Sequence, residues 1–258
     1  MTQIARCALF VGAHPDDIEF MMAGTLLLLK DAGFEVHMWN LADGRYGSER
    51  ENPSILAKRR LMEAEASARI AGAHFHPPIA QDLSIFYNAE LLKKACAVVR
   101  KAKPGMIFCP APDDYMEDHT NTARLVVGAA FARGIGGFKS DPPETAWNGN
   151  LAIYHALPFG LRDPLRRVPK PDLFVDITSV IEKKKEMLEC HKSQKEWLFS
   201  SQGLGSYVGF MVEMSREVGK MSGKFEFAEG FRLRLFRGYS TSEINPLLWA
   251  ISEYCIEV

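Results

Sequence analysis

Residues 8–33 read ALFVGAHPDDIEFMMAGTLLLLKDAG, and the parsing of this stretch decides the fold. Ala8 to Gly12 is a short continuous apolar run, the pattern of a strand buried on both faces. A polar loop follows, and the segment Glu19 to Ala32 is helix-like and closed by Gly33. Strand, loop and helix in that order open a βα unit.

The alternation continues outward from this unit. Glu35 to Leu41 is the next strand candidate, and Asn52-Pro53 offers an N-cap and first-turn proline for a helix from Ser54 to Ala71, stopped by Gly72. A short strand at Ala73 to His76, a helix at Ala89 to Ala102, a strand at Met106 to Cys109 and a helix at Asn121 to Arg133 follow. Such repetition predicts an α/β fold of Rossmann-like type, a mostly parallel sheet with helices on both faces. The C-terminal half is irregular and loop-rich. Gly134 to Pro171 is dense in Gly and Pro around one strand candidate, Leu151 to Leu157. Asp172 to Ile177 reads as a strand, and Thr178 as the cap of a long helix running through KKKEMLECHKSQKEWL, residues 183–198. Ser206 to Met221 reads as a helix and Phe225 to Phe236 as an edge strand. With no internal repeat and no linker, residues 1–258 are expected to form a single domain.

Composition excludes several classes. Hydrophobic residues make up 47% and charged residues 24%, values of a globular protein rather than a disordered chain. A net charge of -1 supplies no field that would draw the chain to nucleic acid or an anionic membrane, which favours a small-molecule partner. The longest apolar stretch, Phe20 to Leu29, falls short of the ~20 residues of a membrane span. No secretory signal precedes the first strand, and the five scattered cysteines form no CxxC pair, so a reducing cytoplasm is expected.

In open α/β sheets ligands bind beyond the carboxyl ends of the strands, and two loops in that position hold unusual residues. The first, Ala13 to Glu19, packs one imidazole and three carboxylates, His14, Asp16, Asp17 and Glu19, into six positions. Close carboxylates repel, and a divalent cation relieves that repulsion with ligand chemistry that His and Asp supply. The second loop, Pro112 to His119, is also acidic and ends in an imidazole. Two His and one carboxylate drawn from both loops would leave a fourth position open, the pattern of catalytic zinc. Asp16 and Asp17 cannot stand identically around one ion, so one can ligate while the other serves as a base. Residue types alone leave a second reading open, in which the first loop is a helix N-cap with an idle histidine. A dinucleotide site is disfavoured, because G-x-G-x-x-G is absent and carboxylates would repel a pyrophosphate.

The AHPDDIE segment resembles the signature of the LmbE-like, or PIG-L, family of zinc-dependent N-acetylglucosamine deacetylases. Further family-like features come in the expected order: Gly24-Thr25, Arg60 and Glu63 with Ala68 and Gly72, Asp118-His119, the HKSQ at His191 to Gln194, and AEGFR at Ala228 to Arg232. The resemblance implies zinc held by His14, Asp17 and His119, with Asp16 as general base, Asp118 as a carboxylate orienting a ligand histidine, and Arg60 as a substrate contact. For Arg60 a surface ion pair is the competing reading. It further implies an N-acetylated sugar or glycoconjugate as substrate, released as acetate and free amine, and a homo-oligomeric protein. Another amide or ester as substrate, or a metal- or sugar-binding protein without catalysis, are the alternatives.

One departure stands out. The family usually has His-Pro-Asp-His in the second loop, its first His stabilising the tetrahedral intermediate, whereas this chain has Met116-Glu117-Asp118-His119. Methionine donates no hydrogen bond, and an oxyanion donor is worth ~3 kcal/mol. Either zinc does that work alone or another group replaces the donor, with His191 the first candidate and His155 the second. His74 and His76 share one strand face by the period of two, which permits a metal pair or a plain strand end.

Overall fold

The computed structural model describes residues 4–195 and 206–258. Among these residues eight strands form one sheet: β1 (Cys7–Gly12), β2 (Glu35–Asn40), β3 (His74–His76), β4 (Met106–Cys109), β5 (Ala152–Ala156), β6 (Leu173–Asp176), β7 (Ala228–Leu233) and β8 (Cys255–Glu257). Their order is β3-β2-β1-β4-β5-β7-β6-β8. The first five run parallel, whereas β7 is antiparallel to both β5 and β6, and β8 is antiparallel to β6. The helices are α1 (Asp17–Met21), α2 (Ala23–Asp31), α3 (Pro53–Ala71), α4 (Ala89–Ala102), α5 (Glu117–Ala132), α6 (Ile181–Glu189), α7 (Tyr207–Ser222) and α8 (Leu247–Ala250).

The pleat of β1 divides the core in two. Ala8 and Phe10 point into a cluster with Leu26 to Leu29 of α2, Ala68 and Ala71 of α3, and Met211 of α7. Leu9 and Val11 point the other way, into a cluster with Ala95 and Val99 of α4 and Leu125 and Val126 of α5. Both faces of the sheet are therefore covered, as the continuous apolar run of β1 requires. Truncating a fully buried leucine such as Leu26 would cost about 2–5 kcal/mol.

Local signals fix most element ends. The Asn52 side chain accepts from Ser54 N at 2.9 Å with Pro53 in the first turn, and Gly72 closes α3 at φ 62°, as its sequence predicts. Asn88 caps α4 by accepting from Leu91 N. The parallel strand order reverses beside β1, where β2 lies on one side and β4 on the other, so the crevice between their carboxyl ends is the expected ligand position.

Four expectations need correction. The segment Glu19 to Ala32 is two helices, broken at Met22, whose φ of -153° is not helical. The break frees the amides of Gly24 and Thr25, and the Glu229 carboxylate accepts from both at 2.8 Å and from Thr25 Oγ1 at 2.6 Å. A charged capping group from another element makes a second helix start affordable here. The long helix after Thr178 is interrupted: α6 ends at Glu189, and residues 192–195 are helical again after a break at Cys190 and His191, while Thr178 itself begins a 3-10 turn and donates to Asp176 Oδ1 rather than capping the helix. The last part of that stretch, 196–198, lies outside the described residues. The supposed edge strand within Phe225 to Phe236 is β7, which lies between β5 and β6, and the edge is instead β8. Helix α5 begins at Glu117, four residues earlier than expected, so Asp118 and His119 sit in its first turn. No helix among the described residues is long and apolar enough to cross a membrane.

Candidate active site

A cleft of about 250 Å³ opens where the two loops meet, lined in part by His14, Asp16, Asp17, Arg60, Tyr115, Met116 and His119. The loop after β1 is held by close packing: a side chain on Gly12 would stand 2.9 Å from both Asn40 Oδ1 and Asp17 Cβ. Asp17 turns back from the first turn of α1, and its Oδ2 accepts from the backbone amides of Ala13 and His14, each at 2.8 Å. Those two amides fix the carboxylate without using its other oxygen.

His14, Asp17 and His119 each bring one potential ligand atom to within 4.8 Å of the others. Each imidazole is oriented by a further carboxylate. His14 Nε2 lies 3.0 Å from Asp118 Oδ2, and His119 Nδ1 lies 2.9 Å from Asp114 Oδ1. This leaves His14 Nδ1 and His119 Nε2 facing Asp17, at 3.8 Å and 3.4 Å from its Oδ2. Asp118 Oδ2 also accepts from Leu83 N at 2.7 Å, and Asp114 Oδ2 from Phe159 N at 3.1 Å, so both supports are themselves held. Carboxylate, imidazole and open ligand atom in series is the usual construction around a metal-binding histidine.

The charges test whether an ion fits. Burial opposes charge on Asp17, but His119 and His14 and their hydrogen bonds outweigh it and hold the carboxyl well below the usual range. Burial likewise opposes a charged His119, but Asp17 and Asp114 outweigh it and raise the imidazole well above its ordinary value. The three carboxylates around the two imidazoles thus call for positive charge at the centre of the triangle, and a divalent cation supplies it. The donor set fits such an ion.

Asp16 stands beside this triangle in the left-handed region, at φ 113°, a conformation that costs on the order of 1–3 kcal/mol and persists only when its surroundings impose it. Tyr207 Oη donates to Asp16 Oδ2 at 2.6 Å, and Arg60 donates to Pro15 O at 2.6 Å with its guanidinium 3.6 Å from Asp16 Oδ1. Burial foremost pushes the Asp16 carboxyl up to about 6, against the opposing charge of Arg60.

Arg60 is buried, with a second bond to Gly44 O at 3.1 Å, so the surface ion-pair reading does not hold. Gly44, at φ 74°, leaves room for it: a Cβ there would lie 2.5 Å from the guanidinium.

His191 and His155 do not line the cleft. His191 is completely buried with Nε2 3.1 Å from Glu19 Oε1, and Ser67 Oγ donates to the same Glu19 oxygen. From the HKSQ segment it is Gln194 that reaches the cleft, while Ser193 bonds Glu63 through its amide and hydroxyl. His155 sits on β5 against Pro110 O at 2.9 Å and Arg234. Neither histidine joins Met116 in the lining of the cleft. Tyr115 does line the cleft, half exposed, and its phenol is pushed up to about 12 by burial and by Asp17 and Asp114, so it stays a donor.

Sequence reasoning missed Asp114, Tyr115 and Tyr207. Asp114 lies five residues before His119 in the acidic loop, a visible signal without a visible direction. Tyr207 lies 191 residues from its partner, and no local pattern connects the two.

A family model described as PIG-L: GlcNAc-PI de-N-acetylase matches residues 9–130, a span that carries both loops of the cleft. Diacetylchitobiose deacetylase of Thermococcus kodakarensis is 30% identical over 236 residues, covering 87% of this chain and 81% of that protein. The 4-oxalmesaconate hydratase of Pseudomonas putida is 27% identical over 198 residues, covering 74% of each chain. Among solved structures, N,N'-diacetylchitobiose deacetylase from Pyrococcus horikoshii aligns with a TM-score of 0.74 at 25% identity, covering 94% of this chain and 89% of that one.

Proposed function

We propose that this chain, which belongs to the PIG-L family, is a zinc-dependent N-deacetylase that cleaves the N-acetyl group from a glucosamine-type sugar or its conjugate, releasing acetate and a free amine. The observation that carries this reading is the separation of roles between neighbours: Asp17 faces the two imidazoles while Asp16 turns away from them toward Tyr207 and Arg60. A pure binding site has no need of the second carboxylate.

His14, Asp17 and His119 would hold the zinc, through Nδ1, a carboxylate oxygen and Nε2. When bound, zinc supplies Lewis acidity for the acyl carbonyl and makes water more acidic. Asp16 takes the proton from the attacking water and returns it to the leaving nitrogen, a role for which it must be near the cleft yet not a ligand. Tyr207 and Arg60 fix the carboxylate in its strained conformation, so that little reorganisation accompanies proton transfer. Tyr115 donates to the developing oxyanion where Met116 cannot. His191 acts through Glu19 as a positioning residue beneath the first loop. Five free cysteines agree with a reducing, cytoplasmic setting, and a homo-oligomer is expected from the family resemblance.

The test is incubation of the zinc-loaded protein with N,N'-diacetylchitobiose, N-acetylglucosamine and N-acetylglucosaminyl conjugates, reading acetate and primary amine. Equimolar release is expected from at least one of them. The hydratase relative motivates the second reading, addition of water without loss of an acyl group. No acetate from any sugar, together with hydration of 4-oxalmesaconate, would replace the first reading with the second.

A further inference from the structure

The opposite end of the parallel sheet carries a second cluster of metal-binding side chains. The catalytic loops leave the carboxyl ends of the strands, whereas Cys7, Glu35 and His74 stand at the amino ends of β1, β2 and β3. Parallel register sets Cys7 beside Glu35 and His37 beside His74. The period of two then places Glu35 and His37 on one face of β2. The juxtaposition follows from strand pairing rather than from chance contact of loops.

Cys7, Glu35 and His37 each offer a ligand atom within 4.8 Å of the others. Glu35 Oε1 lies 3.2 Å from His37 Nε2 and 3.4 Å from His74 Nε2. Nitrogen and oxygen ligands bound tetrahedrally at ~2.0 Å stand roughly 3.3 Å apart, close to the Glu35–His37 spacing, while His74 approaches Glu35 from outside the mutually close group of three. The other nitrogen of His37, Nδ1, lies 2.9 Å from His76 Nε2. That contact fixes the ring with Nε2 turned toward Glu35, the same orienting device that Asp118 and Asp114 supply in the cleft.

His37 and His76 are both buried, an environment that favours the uncharged imidazole. The neutral imidazole is the form that ligates. Cys7 is buried and its thiol donates to Ala102 O at 3.2 Å, while Glu35 and His74 are exposed, so an ion can enter from solvent. Lys101 approaches the two buried histidines and is the adverse charge that the Glu35 carboxylate and a Cys7 thiolate would have to offset.

We propose that Cys7, Glu35 and His37 form a second, structural site for a borderline-soft divalent ion such as zinc, tying β1 and β2 together at their amino ends, with the exposed His74 of β3 closing on the ion from the Glu35 side and His76 orienting His37. Binding converts the Cys7 thiol to thiolate and releases its proton to solvent. The site takes no part in hydrolysis and does not depend on the assignment of the cleft.

The experiment is equilibrium dialysis of the full chain against zinc, with metal counted per chain, and a parallel cobalt(II) titration followed by absorption. Two ions per chain are expected in the wild type, and one in His119→Ala, which loses the cleft ion and keeps the other. Glu35→Gln and His74→Ala alter only exposed side chains and should each weaken the second ion by roughly 10-fold or more. Cys7→Ser should abolish the thiolate-to-cobalt charge-transfer band that the wild type and His119→Ala both show. A single ion per chain that disappears in His119→Ala would overturn the proposal. So would a second ion whose affinity is the same in Glu35→Gln and His74→Ala as in the wild type, or a charge-transfer band that survives Cys7→Ser.

Discussion

The hydroxyl of Tyr207 donates to Asp16 Oδ2 across 2.6 Å, linking the first turn of α7 to the loop after β1. The bond holds a carboxylate whose backbone is in the left-handed region, so its removal should let Asp16 relax away from the cleft.

Asp16→Asn should keep its zinc and lose turnover by ~100-fold to ~10,000-fold, because the amide preserves shape without a basic oxygen. Tyr207→Phe should show a smaller loss, about 10-fold in kcat, with KM and zinc content unchanged. Steady-state kinetics beside metal analysis distinguish the two roles. Wild-type kcat in Tyr207→Phe would show that the bond does not position the base.

Metal retention should follow the two layers around the cleft. Asp17→Ala and His119→Ala should lose the cleft ion, while Asp114→Asn and Asp118→Asn should retain it with ~10-fold to ~100-fold weaker affinity. Competition with a chelator measures this. Full occupancy of the cleft in both alanine variants would reject the ligand set.

The donor that Met116 lacks is expected from Tyr115. Tyr115→Phe should lower kcat by ~100-fold to ~1,000-fold with little change in KM, the range for loss of one oxyanion donor. Met116→His should bring no gain in the wild type but should restore turnover in the Tyr115→Phe background. His191→Ala should reduce stability more than it reduces turnover per folded molecule, since His191 lies buried against Glu19. A large gain from Met116→His alone would show that the donor is missing altogether.

Stability should fall in mild acid through His155. Burial holds its folded pKa at about 4, against 6.5 for an ordinary imidazole, so the unfolded chain binds more protons between those values. The contribution is present above 6.5 and is lost as pH falls toward 4. Between pH 7 and pH 5 the loss should be about 2 kcal/mol. Urea unfolding at the two values should show that difference shrink by about this amount in His155→Gln. An unchanged pH dependence would mean that His155 does not titrate on unfolding.

How far the sequence is legible depends on the range of the interaction that decides each feature. Of the five parallel strands all but β3, which reads His-Phe-His, carry apolar runs, and Asn52, Pro53 and Gly72 mark α3 by short-range rules. The triangle of His14, Asp17 and His119 is accessible because each residue follows a strand end, and topology brings those ends together. The break at Met22 is not, because it depends on Glu229, 205 residues from Gly24. The same holds for β7: its alternating pattern suggests a strand with a wet face, yet it is inserted between two others. Rings such as His191 and His155 are equally compatible with a cleft or a core, and only packing separates them.

The bonds from Glu229 to the start of α2 also impose an order on the birth of the protein. All three groups of the metal triangle are made by residue 119, but the strand that pins α2 comes after residue 227. On the ribosome, where the amino end emerges first, the emerging chain therefore carries its ion-binding residues long before α2 has its cap or Asp16 its tyrosine. Contacts of such sequence separation form late and slowly. A polypeptide ending before residue 207 would carry the three proposed ligands without the tyrosine that holds Asp16 or the carboxylate that caps α2, so on the proposed reading the reactive site is assembled only when late segments have joined early ones.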